Sequence, residues 1–161
     1  MTRIAVLKEA ADGETRVAAT PETVKKFIGL GAEVAVEAGA GVAASVADAD
    51  YAAAGASVGD RAATLKGADI ILGVQGPDPQ SLNGFASGAW LAAGLNPFGE
   101  RARVDAYAAL GLEALAMEFM PRITRAQSMD ILSSQANLAG YKAVLMAANA
   151  YGRGFPMMMT A

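Results

Sequence analysis

Short apolar runs recur along this chain at 4–7, 70–74, 90–95 and 112–117, with an alternating apolar segment at 33–37. That recurrence limits the possible folds more than any other feature. A continuous apolar run of this length, bounded by breakers, reads as a strand buried on both faces. The intervening segments carry helix signals. Thr20-Pro21 places a capping hydroxyl before a proline at the first helical position. Val24, Phe27 and Ile28 then line one face, and Gly29 or Gly31 supplies the stop. Residues 45–54 and 62–66 read as short helices, 56–58 as a brief strand, 100–110 as a helix and 136–151 as a longer one. Strands alternating with helices at this spacing build βαβ units. The expected fold is therefore α/β: a doubly wound, mainly parallel sheet ending in a long C-terminal helix.

A length of 161 residues suits one domain, so 1–161 is read as a single unit. The composition excludes several kinds of chemistry. The chain contains neither Cys nor His. Disulfides, a thiolate nucleophile, Cys-ligated metal and the commonest general base are all ruled out, and no metal site is expected. A net charge of −3 argues against nucleic acid or an anionic membrane as the main partner. The first apolar run is too short for a signal peptide, and no run reaches the 18 or so residues of a membrane span.

Between the last apolar run and the long helix lies the most polar loop of the chain. Residues 120–134 contain Arg122, Arg125, Gln127, Asp130 and several hydroxyls. Open α/β sheets bind ligands at loops that leave strand ends and feed helices. Arg forks onto phosphate or carboxylate, and an amide–carboxylate pair can grip a carboxamide from its donor and acceptor sides. The alternative is a capping loop with solvated arginines, in which Asp130 answers the free N–H groups of the helix start.

Gly39-Ala-Gly41-Val-Ala-Ala44 imitates the Gly-x-Gly-x-x-Ala phosphate turn. Such a turn must open a helix directly and be followed by an acidic residue at the next strand end. Here the helix reads as starting near Ser45, and Asp60 falls at a helix start, so a dinucleotide site is not expected at this turn. Arg16, after the first strand, reads as a surface partner of Glu9 or Glu14.

Several stretches together carry a family resemblance. They are residues 4–9 with 14–18, Thr20-Pro-Glu-Thr-Val24, Glu37-Ala-Gly-Ala-Gly41, the 120–134 loop, Gln135-Ala-Asn-Leu-Ala-Gly-Tyr141 and Phe155-Pro-Met-Met-Met-Thr-Ala161. The chain resembles the N-terminal domain of the alpha subunit of proton-translocating NAD(P) transhydrogenases, a domain shared more loosely with alanine dehydrogenases.

The resemblance implies a Rossmann-like or flavodoxin-like domain with a connector helix over 131–152, and a glycine-rich NAD-binding domain beyond residue 161. It implies hydride transfer between NAD(H) and NADP(H) coupled to proton translocation. NADP(H) would sit on a partner domain and the membrane parts on partner subunits, in a homodimer peripheral to the inner membrane on the cytoplasmic side. No catalytic residue is expected in this chain. Arg122, Gln127, Asp130, Leu132 and Ser133 match the loop over bound NAD(H).

Two other readings stand beside this one: a fragment of an alanine dehydrogenase-like enzyme, or a non-catalytic assembly module of the same fold. The first is disfavoured. The arginine of alanine dehydrogenases that grips the substrate carboxylate is matched by Arg16. However, the lysine position of that family falls on Gln75 and the histidine position on or near Gly94. Leu138, Tyr141, Val144, Leu145 and Ala148 form a helix face expected to be buried, and the apolar tail 155–159 suggests a partner surface.

Overall fold

A computed structural model describes residues 1–155. Six strands form one parallel sheet: β1 (Arg3–Val6), β2 (Glu33–Glu37), β3 (Ser57–Gly59), β4 (Ile70–Gln75), β5 (Trp90–Gly94) and β6 (Glu113–Ala116). Their spatial order is β3-β2-β1-β4-β5-β6. All five pairings are parallel. This is the order of a doubly wound Rossmann sheet, with its topological switch point between β1 and β4.

The helices are α1 (Pro21–Gly29), α2 (Asp48–Ala53), α3 (Arg61–Leu65), α4 (Arg101–Ala109) and α5 (Ile131–Ala150). The chain divides into two compact units, one covering Met1–Phe119 and the other beginning at Met120.

Within the first unit the pleat separates two cores. Ile4, Val6, Val34 and Val36 face Val24 of α1 and Tyr51 of α2. Ala5, Leu7, Ile71, Leu91 and Leu95 face Leu65 of α3 and Tyr107 of α4. Neighbouring residues of one strand thus serve opposite cores, which is why these strands read as unbroken apolar runs. Helix α1 follows its sequence signals: Thr20 Oγ1 accepts from Thr23 N–H at 3.3 Å, and Gly31 takes the left-handed φ of 89° that ends the helix.

Two expectations need correction. The helix expected over 45–54 is only Asp48–Ala53, because Ser45 adopts a φ of 62° that no right-handed helix can pass through. The apolar face of α5 is also not buried. Leu138 is 60 %, Tyr141 68 % and Val144 68 % exposed, and neither core contains an α5 residue. Apolar side chains ring this helix instead of forming one stripe, so the three- and four-residue spacing had no polar opposite face to orient it. Of the apolar tail, only Phe155 is among the described residues; 156–161 lie outside them.

Candidate functional site

The carboxyl edge of the sheet is where a doubly wound fold presents backbone N–H groups to a ligand. Here the chain's own carboxylates occupy that edge. Glu9, just past β1, accepts from the Val74 and Gln75 N–H groups at 2.6 and 3.1 Å. Glu37 accepts from Lys8 N–H at 2.9 Å, and Glu118 accepts from Leu95 and Asn96 N–H at 3.1 and 2.6 Å. Arg61 ties the loops together, reaching Glu37, the Ser81 hydroxyl and the Lys8 carbonyl.

Of these groups Lys8, Glu9, Gln75, Arg61 and Ser81 border a cleft of about 710 Å³ at the switch point, lined also by Asp78 and Arg103. Sequence reading missed this cleft, since only the strand order brings the ends of β1 and β4 together. A phosphate entering it would meet acidic caps already on the strand-end amides, which makes the cleft a poor pyrophosphate site.

The glycine-rich turn is likewise occupied. Gly39 N–H donates to the Asp48 carboxylate at 2.9 and 3.1 Å, the place an incoming phosphate would take. A Cβ on Gly41 would lie 2.7 Å from both Tyr51 Cε2 and the Val46 carbonyl, so that glycine is required by packing. Asp60 lies at a helix start, as read from sequence, although β3 ends directly before it. Its carboxylate caps α3 through Ala63 N–H at 2.8 Å. This turn binds its own chain.

Arg16 pairs with Glu14, and the charge of Glu9 acts on it as well. Its Nε and a terminal nitrogen lie 2.7 and 2.5 Å from the two carboxylate oxygens. Gln75 Nε2 adds a contact to Glu14 at 3.1 Å. These donors, Arg16 first, hold the Glu14 carboxyl at about 2, against the ordinary 4.5. A depressed folded-state value means that this contribution to stability is full above pH 4.5 and fades as pH falls towards 2. Glu14→Gln should therefore flatten the acid limb of stability in that window. Urea midpoints near pH 5 and near pH 3 measure it: the gap between wild type and variant should narrow at the lower pH.

In the second unit, residues 124–129 form a 3₁₀ segment, and Asp130 begins α5. Asp130 is buried, and both of its oxygens are engaged. One accepts from Leu132 and Ser133 N–H at 2.9 and 3.2 Å, and the other accepts from Ser133 Oγ at 2.6 Å. The Ser133 hydroxyl, the Ser133 and Leu132 amides and the charge of Arg122 hold this carboxyl below the usual range. The capping role foreseen for Asp130 is thus in place, and it fixes the direction of the Ser133 hydroxyl.

Arg122, Gln127, Leu132 and Ser133 are all exposed. Leu132 and Ser133 share the first turn of α5 with the Asp130 cap, Arg122 lies within electrostatic reach of it, and Gln127 sits on the 3₁₀ segment that feeds it. Among the described residues no cluster of His, Cys, Asp or Glu could hold a metal ion, and no helix is long and apolar enough to cross a membrane.

Strand order, the helices on the sheet and the polar loop before α5 define a Rossmann-like α/β domain whose glycine turn is hydrogen-bonded to its own Asp48. The chain belongs to the family described as alanine dehydrogenase/PNT, N-terminal domain, whose model matches residues 5–139.

It is 50 % identical over 167 residues to the first part of NAD(P) transhydrogenase subunit alpha of Rhodospirillum rubrum, covering 99 % of this chain and 43 % of that protein. The crystal structure of transhydrogenase from Sinorhizobium meliloti superposes with a TM-score of 0.90 at 52 % identity, covering 99 % of this chain and 48 % of that one. An L-alanine dehydrogenase structure matches with a TM-score of 0.80 at 25 % identity, over 92 % of this chain and 40 % of that one. The resemblance to the N-terminal domain of transhydrogenase alpha is therefore borne out. The chain spans less than half the length of these relatives.

Proposed function

We propose that this chain lines one wall of the nicotinamide cleft in an NAD(P) transhydrogenase, where hydride passes between NAD(H) and NADP(H), coupled to proton translocation in membrane-embedded partners. It works with a following NAD-binding domain, an NADP(H)-binding partner and a second copy of the subunit. The observation that carries this reading is the Asp130–Ser133 cap. It leaves a capped helix start with exposed Arg122 and Gln127 in the preceding loop, in a chain with no general base of the histidine kind.

The donor set fits a nicotinamide carboxamide. The Ser133 proton points at Asp130, so its oxygen remains free to accept from the carboxamide NH₂. Arg122 only donates, which suits the carboxamide oxygen. Gln127 can do both, and Leu132, 56 % exposed, offers apolar surface beside them. Bound nicotinamide cofactors supply the hydride chemistry themselves. The tasks of these residues are to fix the ring's face and keep it within reach of its partner ring, with no proton moved on this chain. Alanine oxidation is the weaker reading, because Gln75 offers a neutral amide already bound to Glu14.

Since the switch-point cleft and the glycine turn are internally satisfied, this chain alone should bind NADH weakly or not at all. Isothermal calorimetry on the 161-residue chain tests this. No submicromolar association is expected, and submicromolar affinity would overturn the reading.

A further inference from the structure

Asn83-Gly84 is the one place in this chain where glycine follows asparagine, and it falls in the segment between the 3₁₀ turn at Pro79–Ser81 and β5. The segment is pinned within the first unit on either side of the pair. Leu82 is 3 % and Ala89 2 % exposed, and Phe85 packs against the core that holds Leu65 and Tyr107. The Gly84 carbonyl accepts from Gly67 N–H at 2.7 Å, and Ala86 N–H donates to the Ala68 carbonyl at 2.9 Å. Between those pins the reactive atoms are unclaimed. Neither the backbone nor the carboxamide of Asn83 makes a hydrogen bond to any described residue, and Gly84 N–H donates to none. Gly84 also takes a φ of 82° and carries no Cβ to crowd its nitrogen.

We propose that Asn83 is a self-modification site, at which its carboxamide is converted through a cyclic imide to aspartate and isoaspartate with water as the only co-reactant. The Gly84 nitrogen gives up its proton to base and attacks Asn83 Cγ. The new C–N bond closes the imide, the Cγ–Nδ2 bond breaks, and that nitrogen leaves as ammonia. Water then opens the ring. Cleavage beside Cγ restores the normal main chain with an aspartate, and cleavage beside the main-chain carbonyl carbon routes the chain through Cγ as isoaspartate. Nothing is oxidised or reduced.

Every other asparagine lacks one requirement of this reaction. Asn96 precedes Pro97, whose nitrogen carries no proton. Asn137 and Asn149 lie in α5, where the next N–H is held by the helix ladder. Asp12-Gly13 ends in a glycine of similar φ, 75°, but its carboxylate is a poorer source of a leaving group at neutral pH than a carboxamide. The product disturbs its surroundings. Isoaspartate puts an extra main-chain atom between buried Leu82 and the bond from Gly67 N–H to the Gly84 carbonyl, and it adds a negative charge to a chain already at −3. A close-packed core resists such displacement, so the modified chain is the less stable one.

The test incubates the whole chain at neutral and at mildly alkaline pH, folded and in guanidinium, with Asn83→Gln treated alongside. Ion exchange follows the added negative charge, peptide mapping locates it, and an isoaspartyl methyltransferase with a labelled methyl donor counts the isoaspartate. An acidic species converted at Asn83 should accumulate in the folded chain within a few-fold of the unfolded rate. Its formation should be several-fold faster at the alkaline pH, with isoaspartate in excess over aspartate. Asn83→Gln should stay a single species, because the longer side chain closes its ring far more slowly. The converted chain should show a lower urea midpoint than Asn83→Asp, which carries the charge without the extra main-chain atom.

Conversion of Asn83 in the unfolded chain with none in the folded one would mean that the fold holds Cγ away from the Gly84 nitrogen, and would overturn the proposal. Folded-state conversion of Asn96, Asn137 or Asn149 at the rate of Asn83 would overturn it as well. Equal midpoints for the converted chain and Asn83→Asp would contradict the destabilisation assigned to the lengthened main chain.

Discussion

Gln127→Ala in an assembled transhydrogenase carrying this chain is expected to slow hydride transfer on the order of 10²-fold, the effect of misplacing one reactant by about an ångström. Gln127 is exposed on the 3₁₀ segment, and its backbone carbonyl accepts from Asp130 N–H at 3.4 Å while its side-chain amide faces solvent. Its truncation should therefore cost the fold little while removing a group that both donates and accepts. Stopped-flow transfer between bound NADH and an NADP⁺ analogue measures the rate, and thermal melting of the variant should match wild type. An unchanged transfer rate would favour the reading of this domain as a non-catalytic assembly module.

Tyr51→Ala is the change expected to damage the first unit most. Tyr51 is fully buried, its hydroxyl donates to the Ala19 carbonyl at 2.9 Å, and its ring fills the space that excludes a Cβ on Gly41. Removing a buried aromatic ring of this kind costs about 3–5 kcal/mol. That approaches the whole stability of many domains, so urea denaturation should show a folded baseline that is short or absent. Tyr51→Phe, which keeps the ring and orphans only the Ala19 carbonyl, should cost about 1–3 kcal/mol. Equal effects of the two changes would locate the contribution in the hydrogen bond rather than in packing.

Much of this architecture is legible in the residues because parallel strands buried on both faces leave an unmistakable apolar signature. The strands at 4–7, 33–37 and 70–74 lie within a residue or so of the observed β1, β2 and β4. The order β3-β2-β1-β4-β5-β6 is not legible, since it arises from long-range pairings such as Arg3 with Glu33 and Ile4 with Ile70. For the same reason Glu9, Glu37 and Glu118 look like ordinary polar residues after strands until the order turns each into a cap for a neighbour's amides.

The left-handed Ser45 gives no compositional warning. The bare α5 misled periodicity, because apolar spacing reports a demand for burial without saying which molecule meets it. At the 120–134 loop the residue types and the capping alternative were legible. The division of labour between Asp130 as anchor and Ser133 as an oriented acceptor needed the hydrogen-bond geometry.

The most direct test of the account is hydrogen–deuterium exchange across residues 120–135, with and without NADH, in an assembly that contains this chain and an NAD-binding domain. Slower exchange in that segment on adding NADH, with the 39–44 turn and the 74–78 strand end unchanged, is the predicted result. Protection at the turn or the strand end, with 120–135 unaffected, would contradict it.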